Sequence, residues 1–398
     1  MKKINVYRSP LFLDLLLWFA FFIVIGSACF QFQYKFPFTF ELFSILSKVI
    51  FIVSLSAHIV RCLKYRRKFF SKFDFFLLLL LFWLVYSSIL NKHSWITQIP
   101  FVMKALAVRY LFSLYMPNHT EKATKILSSV FSFIIYANFF QLLFFPSLIG
   151  SFKGEYIYLI STNYNQFAAV FMPAIFLHTI MYFRTGRIRS LILLLSVCFA
   201  SVALEGSATA TVSILLLLLT VIFIKNERLL KIENLSLIVG IVFFFFTFVI
   251  PTFSVLDIPL VSNFVEGLGK DMTFSHRTNI WRYAEFQIIH SPIIGYGVCD
   301  KEWFQHLLSN AVHTHNIVLQ MLLQGGIIGL LIFAVFVYGG IKKILSVQNK
   351  YQKRLLITVS IIFLLMSQFE VYINTFIYIF IFLMFVTKNI LISQFIEK

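Results

Sequence analysis

Two histidines, an asparagine and three glycines stand close together in "HTHNIVLQMLLQGGIIGLL", residues 313–331. A neutral imidazole can take a proton from a hydroxyl near pH 7, which is the work of a general base. His315 is the candidate for that role, His313 is its rival, and Asn316 is placed to orient the ring or a ligand. On an α-helix at 100° per residue, His315 and Gly326 fall about 20° apart, with Gly329 on roughly the same face. That spacing puts His315 at the top of a groove of small residues that admits a second helix. On the same helix His313 and His315 would point to nearly opposite sides, so only one could aim into a shared site. Capping for the histidines and plain packing for Gly326 and Gly329 remain the alternative.

A second stretch, "FSHRTNIWRYAEFQIIHSPIIGYG", covers residues 274–297. Arg277, Trp281 and Ala284 share a helical face with Glu285 beside them, while Arg282 lies about 140° from Arg277. A guanidinium there suits bidentate phosphate contacts, with Arg277 first and Arg282 second; the alternative is an ion pair for Arg277 and interfacial anchoring for Trp281. Lys104 and Arg109 lie inside an apolar run, where a charge costs several kcal/mol unless it faces a cavity or a partner. A site for an anionic lipid head group would explain both, and an internal pair with Glu370 or Glu205 is the other reading. Ser207, Thr209 and Thr211 of "LEGSATATV" suit a helix cap. No DxD, HExxH or Gly-rich nucleotide loop occurs, so neither a metal, a cofactor nor a nucleotide-sugar donor is expected. The four cysteines lack CxxC spacing, which argues against a zinc site or disulfide framework.

These groups must be positioned by elements embedded in lipid. The chain has 398 residues, 60% of them hydrophobic and only 13% charged, against about 25% charged in a soluble domain; mean hydropathy is +0.87. A net charge of +18 would suggest nucleic acid in a soluble chain. Here the basic residues lie in short clusters between apolar runs, no basic face interleaved with aromatics occurs outside those clusters, and nucleic acid is excluded. About 20 apolar residues cross a bilayer, and twelve spans are predicted: 11–30, 41–60, 75–90, 99–116, 126–149, 165–183, 191–204, 208–224, 235–252, 314–339, 355–370 and 373–388. The first contains Asp14 and no small-residue cleavage pattern follows it, so it is expected to be a retained helix. One set of connections carries 24 of the 34 Lys and Arg, which puts both termini in the cytoplasm. The expectation is an all-α integral membrane protein of about 12 helices. Residues 1–252 form the first nine helices, 253–312 a large, partly helical external loop, and 313–398 the last three helices.

"RTNIWRYAEFQIIHSPIIGYG" followed by Trp303 and "HTHNIVLQMLLQGGIIGLL" resembles the O-antigen polymerase and O-antigen ligase superfamily of bacterial membrane glycosyltransferases. His315-Asn316, nine residues, then Gly326-Ile-Ile-Gly329 fits the family pattern, as do Arg277-x-x-x-Trp281 and the Ser-Pro-x-x-Gly-x-Gly run. "STNYNQFAA" and "EGSATATV" are weaker matches. One departure stands out: many relatives carry an arginine just after the serine of an "SGS" turn, where this chain has Ala208.

The resemblance implies a GT-C-type fold in the bacterial cytoplasmic (inner) membrane, with the active site on the external or periplasmic face. It also implies a glycan donor linked through pyrophosphate to undecaprenol. In that chemistry Arg277 would stabilise the leaving pyrophosphate without a metal and His315 would deprotonate the attacking sugar hydroxyl. Asn316, His313, Arg282, Arg109, Lys104 and Trp281 would contact substrate, and Gly326 and Gly329 would pack the helix at the site. The flippase and the chain-length regulator of the same pathway are the expected partners, besides membrane lipid. The favoured reaction is polymerisation of lipid-linked repeat units into O-antigen, capsule or exopolysaccharide. The alternative is a ligase transferring the glycan to lipid A core or another acceptor. A transporter fits less well, because no related halves are apparent and the longest loop is external and late.

Overall fold

The computed structural model describes residues 11–30, 36–115, 119–146, 167–204, 208–223, 277–298, 313–371 and 374–392, with 151–152, 155–156, 159–160, 241, 303–305 and 311 between them. The described residues form twelve α-helices: α1 (Leu11–Cys29), α2 (Pro37–Lys64), α3 (Lys72–Leu90), α4 (Ile99–Ser113), α5 (Thr120–Phe144), α6 (Phe167–Thr185), α7 (Ile188–Leu204), α8 (Ala208–Phe223), α9 (Arg277–His290), α10 (Ile317–Leu345), α11 (Lys350–Met366) and α12 (Thr375–Ile392). A 3₁₀ turn at Ile96–Gln98 leads into α4, and Ser151–Phe152 pairs antiparallel with Glu155–Tyr156. Eleven of the expected spans coincide with helices. Apart from Ile241, the ninth lies outside the described residues, as do residues 253–276 of the expected loop.

Six helices (α1, α2, α3, α5, α6 and α10) are long and apolar enough to cross a membrane, and α7 and α12 are shorter apolar helices. The chain is a multi-pass membrane protein. Its middle is made by α6 and α12, which are buried on every side: Phe167 through Ile180 and Phe376 through Thr387 are covered without a break. The outer helices keep an apolar face open, with Phe38, Ile52, Val60 and Leu63 of α2 exposed, as a lipid-facing wall requires. Lipid is as apolar as a leucine side chain, so packing and hydrogen bonds rather than hydrophobic burial must hold such helices together.

Helix starts are written locally. Ser71 and Asp74 form a reciprocal capping box on α3, and Asn349 caps α11 by accepting from Tyr351 and Gln352 backbone N–H groups. The most consequential local feature is the break in α10. Gly326 has φ 60° and ψ −164°, a region open to glycine alone, and a Cβ there would lie 2.2 Å from the Ile293 carbonyl. The break frees backbone groups, and the segment after α9 satisfies them. Tyr296 and Gly297 N–H donate to the Leu323 and Gln324 carbonyls at 2.8 and 2.7 Å, while Ile327 N–H donates to the Pro292 carbonyl at 2.8 Å. Trp83 Nε1 of α3 donates to the Gly325 carbonyl at 2.7 Å. A broken helix survives in a membrane only where such partners are supplied. The "SPIIGYG" and "GGIIG" motifs are therefore two halves of one hydrogen-bonded joint. The glycines of α10 admit backbone from the same segment after α9 as well as Trp83 of the neighbouring helix.

Candidate active site

The joint fixes where α10 begins, and the residues just before it carry the chemistry. Ile317 is the first helical residue, so His315 is not on the helix as expected. It stands before the cap with φ 51°, a left-handed conformation uncommon outside glycine. Asn316 Oδ1 accepts from the Val318 and Leu319 N–H groups at 2.9 and 3.2 Å, which is an N-cap. Four further bonds hold the loop. Trp281 Nε1 donates to the Thr314 carbonyl at 2.8 Å, and Thr314 N–H donates to Gln320 Oε1 at 3.0 Å. The Thr314 hydroxyl donates to the Asn316 carbonyl at 2.7 Å. Ile317 N–H donates to the Ser367 carbonyl at 2.8 Å, docking the loop on the turn that follows α11.

That turn carries Glu370, which is 1% exposed and gathers the other groups. His315 Nδ1 lies 3.2 Å from Glu370 Oε2, His313 Nε2 lies 3.3 Å from Oε1, and Arg277 Nη2 lies 3.3 Å from Oε2. Off the helix, the two imidazoles do not diverge: their ring centroids are 4.1 Å apart. The bonding assigns their tautomers. His313 Nδ1 accepts from His315 N–H at 3.2 Å, so its proton sits on Nε2 and points at Glu370. A carboxylate only accepts, so His315 carries its proton on Nδ1. The lone pair of His315 Nε2 is then left without a hydrogen bond among the described residues, on a side chain that is 21% exposed.

Electrostatics agree with this assignment. Burial pushes His313 down to about 4, only partly opposed by Glu370, so it is neutral at physiological pH. Burial alone would raise the Glu370 carboxyl, but the His315 hydrogen bond, the two neighbouring imidazoles and the Arg277 guanidinium hold it below the usual carboxylate range. On α9, Glu285 is pushed up to about 7 by burial, against the lowering effect of Arg282, and its Oε1 is buried without a hydrogen-bond partner among the described residues.

The other expected site residues fall elsewhere. Trp281 is 1% exposed and packs with Ile280, Ala284, Phe304, Leu319 and Leu323; it holds the histidine loop and offers no face to a sugar. Arg282 lies on the exposed side of α9. Arg109 pairs with Asp74 at 2.9 Å, neither of the partners expected for it, and Asp74 stands at the opposite end of α3 from Ser87, which bonds the joint. Lys104 Nζ donates to the Ser27 carbonyl near the end of α1 at 2.7 Å. Neither cation reaches the histidine cluster. Glu370 is the residue that sequence reasoning missed as a site group. It is the lone carboxylate between Glu302 and Glu397, at the end of a span that the charge rule puts on the same side as His315, and that was the available signal.

Ligand atoms of His313, His315 and Glu370 lie within 4.8 Å of one another, a donor set that metals such as iron or zinc use. The Arg277 guanidinium beside the same carboxylate oxygen disfavours a second cation there.

With the geometry in place, comparison with known proteins is informative. Residues 190–334 match the family described as O-Antigen ligase, a range that takes in Arg277, His313 and His315 but stops short of Glu370. A protein of Rickettsia conorii named "Putative polysaccharide ligase" is 33% identical over 95 residues, 21% of this chain and 23% of that protein. Its namesake in Rickettsia felis is 30% identical over 94 residues, 21% and 23% of the two chains. The Rickettsia typhi protein is 33% identical over 82 residues, 18% and 20%. The matched stretch thus spans under a quarter of each relative's length. Over residues 190–334, then, this chain is similar to the O-antigen ligase family.

Proposed function

We propose that the protein is a metal-independent membrane glycosyltransferase that polymerises polyprenyl-pyrophosphate-linked oligosaccharide units into a surface polysaccharide. The observation that carries this reading is the Glu370–His315 bond at 3.2 Å. It leaves His315 Nε2 as a proton acceptor on a partly exposed ring, with a guanidinium beside it. A sugar hydroxyl approaching Nε2 loses its proton there as its oxygen attacks the anomeric carbon of the donor. The bond to the pyrophosphate oxygen breaks, and the lipid pyrophosphate leaves with the electron pair. Attack opposite the leaving group inverts the anomeric centre. Arg277 bonds Glu370 through one nitrogen, and its remaining donors suit the leaving phosphates. Glu370 is a positioning residue, since it is too deeply buried to meet substrate. The finer reading of the architecture goes with this: twelve crossings in a GT-C-like bundle in a bacterial inner membrane, cytoplasmic termini, and the histidine cluster on the outer face.

The descriptions of the family and of its relatives favour a second reading, a ligase that moves a lipid-linked glycan to another acceptor. Purified protein in lipid, given polyprenyl-pyrophosphate-linked repeat units alone, separates the two. A ladder of products supports the polymerase. A single transfer that needs an added acceptor replaces it with the ligase, and no transfer in either arm refutes both.

A further inference from the structure

At the far end of α10 from the histidine loop, a cavity of about 320 Å³ opens between α3, α10 and α12. Four lysines line it: Lys72, Lys342, Lys343 and Lys388. No carboxylate lines it, and none of the four makes an ion pair among the described residues. Its walls are apolar, with Phe76, Val335 and Phe385 among them. The floor is an aromatic cluster in which Phe73 and Phe336 stand 5.5 Å apart, and Phe336 and Phe385 6.0 Å. The helices close tightly beneath it, where a Cβ on Gly339 would lie 2.8 Å from the Phe385 ring.

Helix electrostatics accounts for only half of these charges. Lys342 and Lys343 sit in the last turn of α10, where a cation is favoured by the macrodipole. Lys72 is the first residue of α3, where the same dipole disfavours it, and Lys388 lies inside α12 before its final turn. Four cations converging on one apolar-walled cavity at the ends of membrane helices call for an anion with an apolar tail. We propose that this cavity binds the phosphodiester head group of an anionic phospholipid, its acyl chains lying along the Phe76 and Phe385 walls. Basic pockets between membrane helices recognise such head groups. The site is separate from the histidine cluster by the length of a 29-residue helix, so it stands or falls independently of the proposed reaction.

Native mass spectrometry of the detergent-purified full chain, titrated with phosphatidylglycerol or phosphatidylcholine, tests the assignment. Phosphatidylglycerol should be retained in preference, and Lys342→Gln with Lys343→Gln and Lys388→Gln should weaken it roughly fivefold for each lysine neutralised. The matching Lys→Arg set, which keeps charge, should keep binding and so exclude simple misfolding as the cause. Equal retention of the two lipids would overturn the proposal, as would unchanged phosphatidylglycerol retention in the Gln set. Displacement of the lipid by millimolar inorganic phosphate would replace it with a free-phosphate site.

Discussion

Two clusters in this molecule are built from the same three kinds of group, a carboxylate, a guanidinium and imidazole, and behave differently. Asp74, Arg109 and His58 meet where α2, α3 and α4 pack, and Glu370, Arg277, His315 and His313 meet at the start of α10. In the first, Asp74 Oδ2 is shared by Arg109 at 2.9 Å and by the Ser71 amide and hydroxyl, both at 2.7 Å. His58 uses both ring nitrogens, toward Ser113 Oγ at 3.0 Å and the Phe69 carbonyl at 3.1 Å, and its ring stacks on Tyr110. All three side chains sit on regular helix and are buried. In the second, three groups converge on one buried carboxylate, His313 and His315 from irregular backbone and Arg277 from the first residue of α9. One of them, His315, keeps a ring nitrogen that makes no hydrogen bond among the described residues. Buried contacts on regular helix, where even Asp74 Oδ1, unbonded among the described residues, is sealed away from solvent, brace a fold. An unfilled acceptor on strained backbone is how a chain holds a reactive group, since such strain persists only where surrounding structure enforces it.

The largest effect should come from the unfilled acceptor. His315→Ala should lower turnover about 10²- to 10⁴-fold, the usual weight of a general base, with little change in melting temperature. A ladder that survives in His315→Ala and vanishes in His313→Ala would move the base by two residues. Glu370→Gln keeps volume but removes the charge that fixes the His315 tautomer. It should cost at least about 10²-fold in kcat with KM little changed, by analogy with the carboxylate of a catalytic triad. Asp74→Asn should do the reverse. Leaving Arg109 buried without its partner costs about 3–5 kcal/mol of stability, while the fraction that folds turns over normally. Melting curves beside rates per folded molecule decide this. If Asp74→Asn kills turnover in folded protein and Glu370→Gln does not, the contrast drawn between the clusters is inverted.

The sequence carried the bundle well, because a bilayer imposes one length and one composition on every span. The split between α7 and α8 and the presence of helix α9 followed from charge and from local pattern. What failed was the extrapolation of α10 back through His315. A periodicity argument assumes continuous helix, and Asn316 caps the helix one residue later, a signal that the side-chain type itself offered. Glu370 was legible only as a stray carboxylate. The 55 residues that separate it from His315 are closed by tertiary packing, which no local pattern reports. For Arg109 an internal pair was one of two readings beside a lipid head-group site, and its partner on the preceding helix was not foreseen, because Asp74 reads locally as a capping residue and serves both purposes.

A smaller effect is electrostatic, and two groups near the site have opposite signs. His313 titrates at 6.5 when unfolded and at about 4 when folded. The unfolded chain therefore binds more protons between those values, and stability falls as pH drops through the window. Glu285 moves from 4.5 to about 7, so the folded chain holds the extra proton and stability falls as pH rises from 4.5 to 7. Melting temperatures of wild type, His313→Asn and Glu285→Gln across this range separate the two. His313→Asn should flatten the acid side of the profile, and Glu285→Gln should gain on wild type as pH approaches 7. A His313 variant with an unchanged acid limb would mean that the ring is not held neutral against Glu370.

The smallest expected effect is at Asn316, and it distinguishes bracing from chemistry within the site itself. As an N-cap, Asn316 is worth about 1 kcal/mol of stability to α10. Its replacement also loosens the residue next to His315, so Asn316→Ala should lose that stability and part of the turnover together. Ser and Asp cap nearly as well as Asn, and Asn316→Ser should restore both if capping is the whole role. Restored melting with turnover still depressed would give the Asn316 amide a direct contact with substrate, the role first assigned to it from sequence. The boundary between the supporting frame and the reacting groups would then fall one residue further along the chain, at the N-cap of α10.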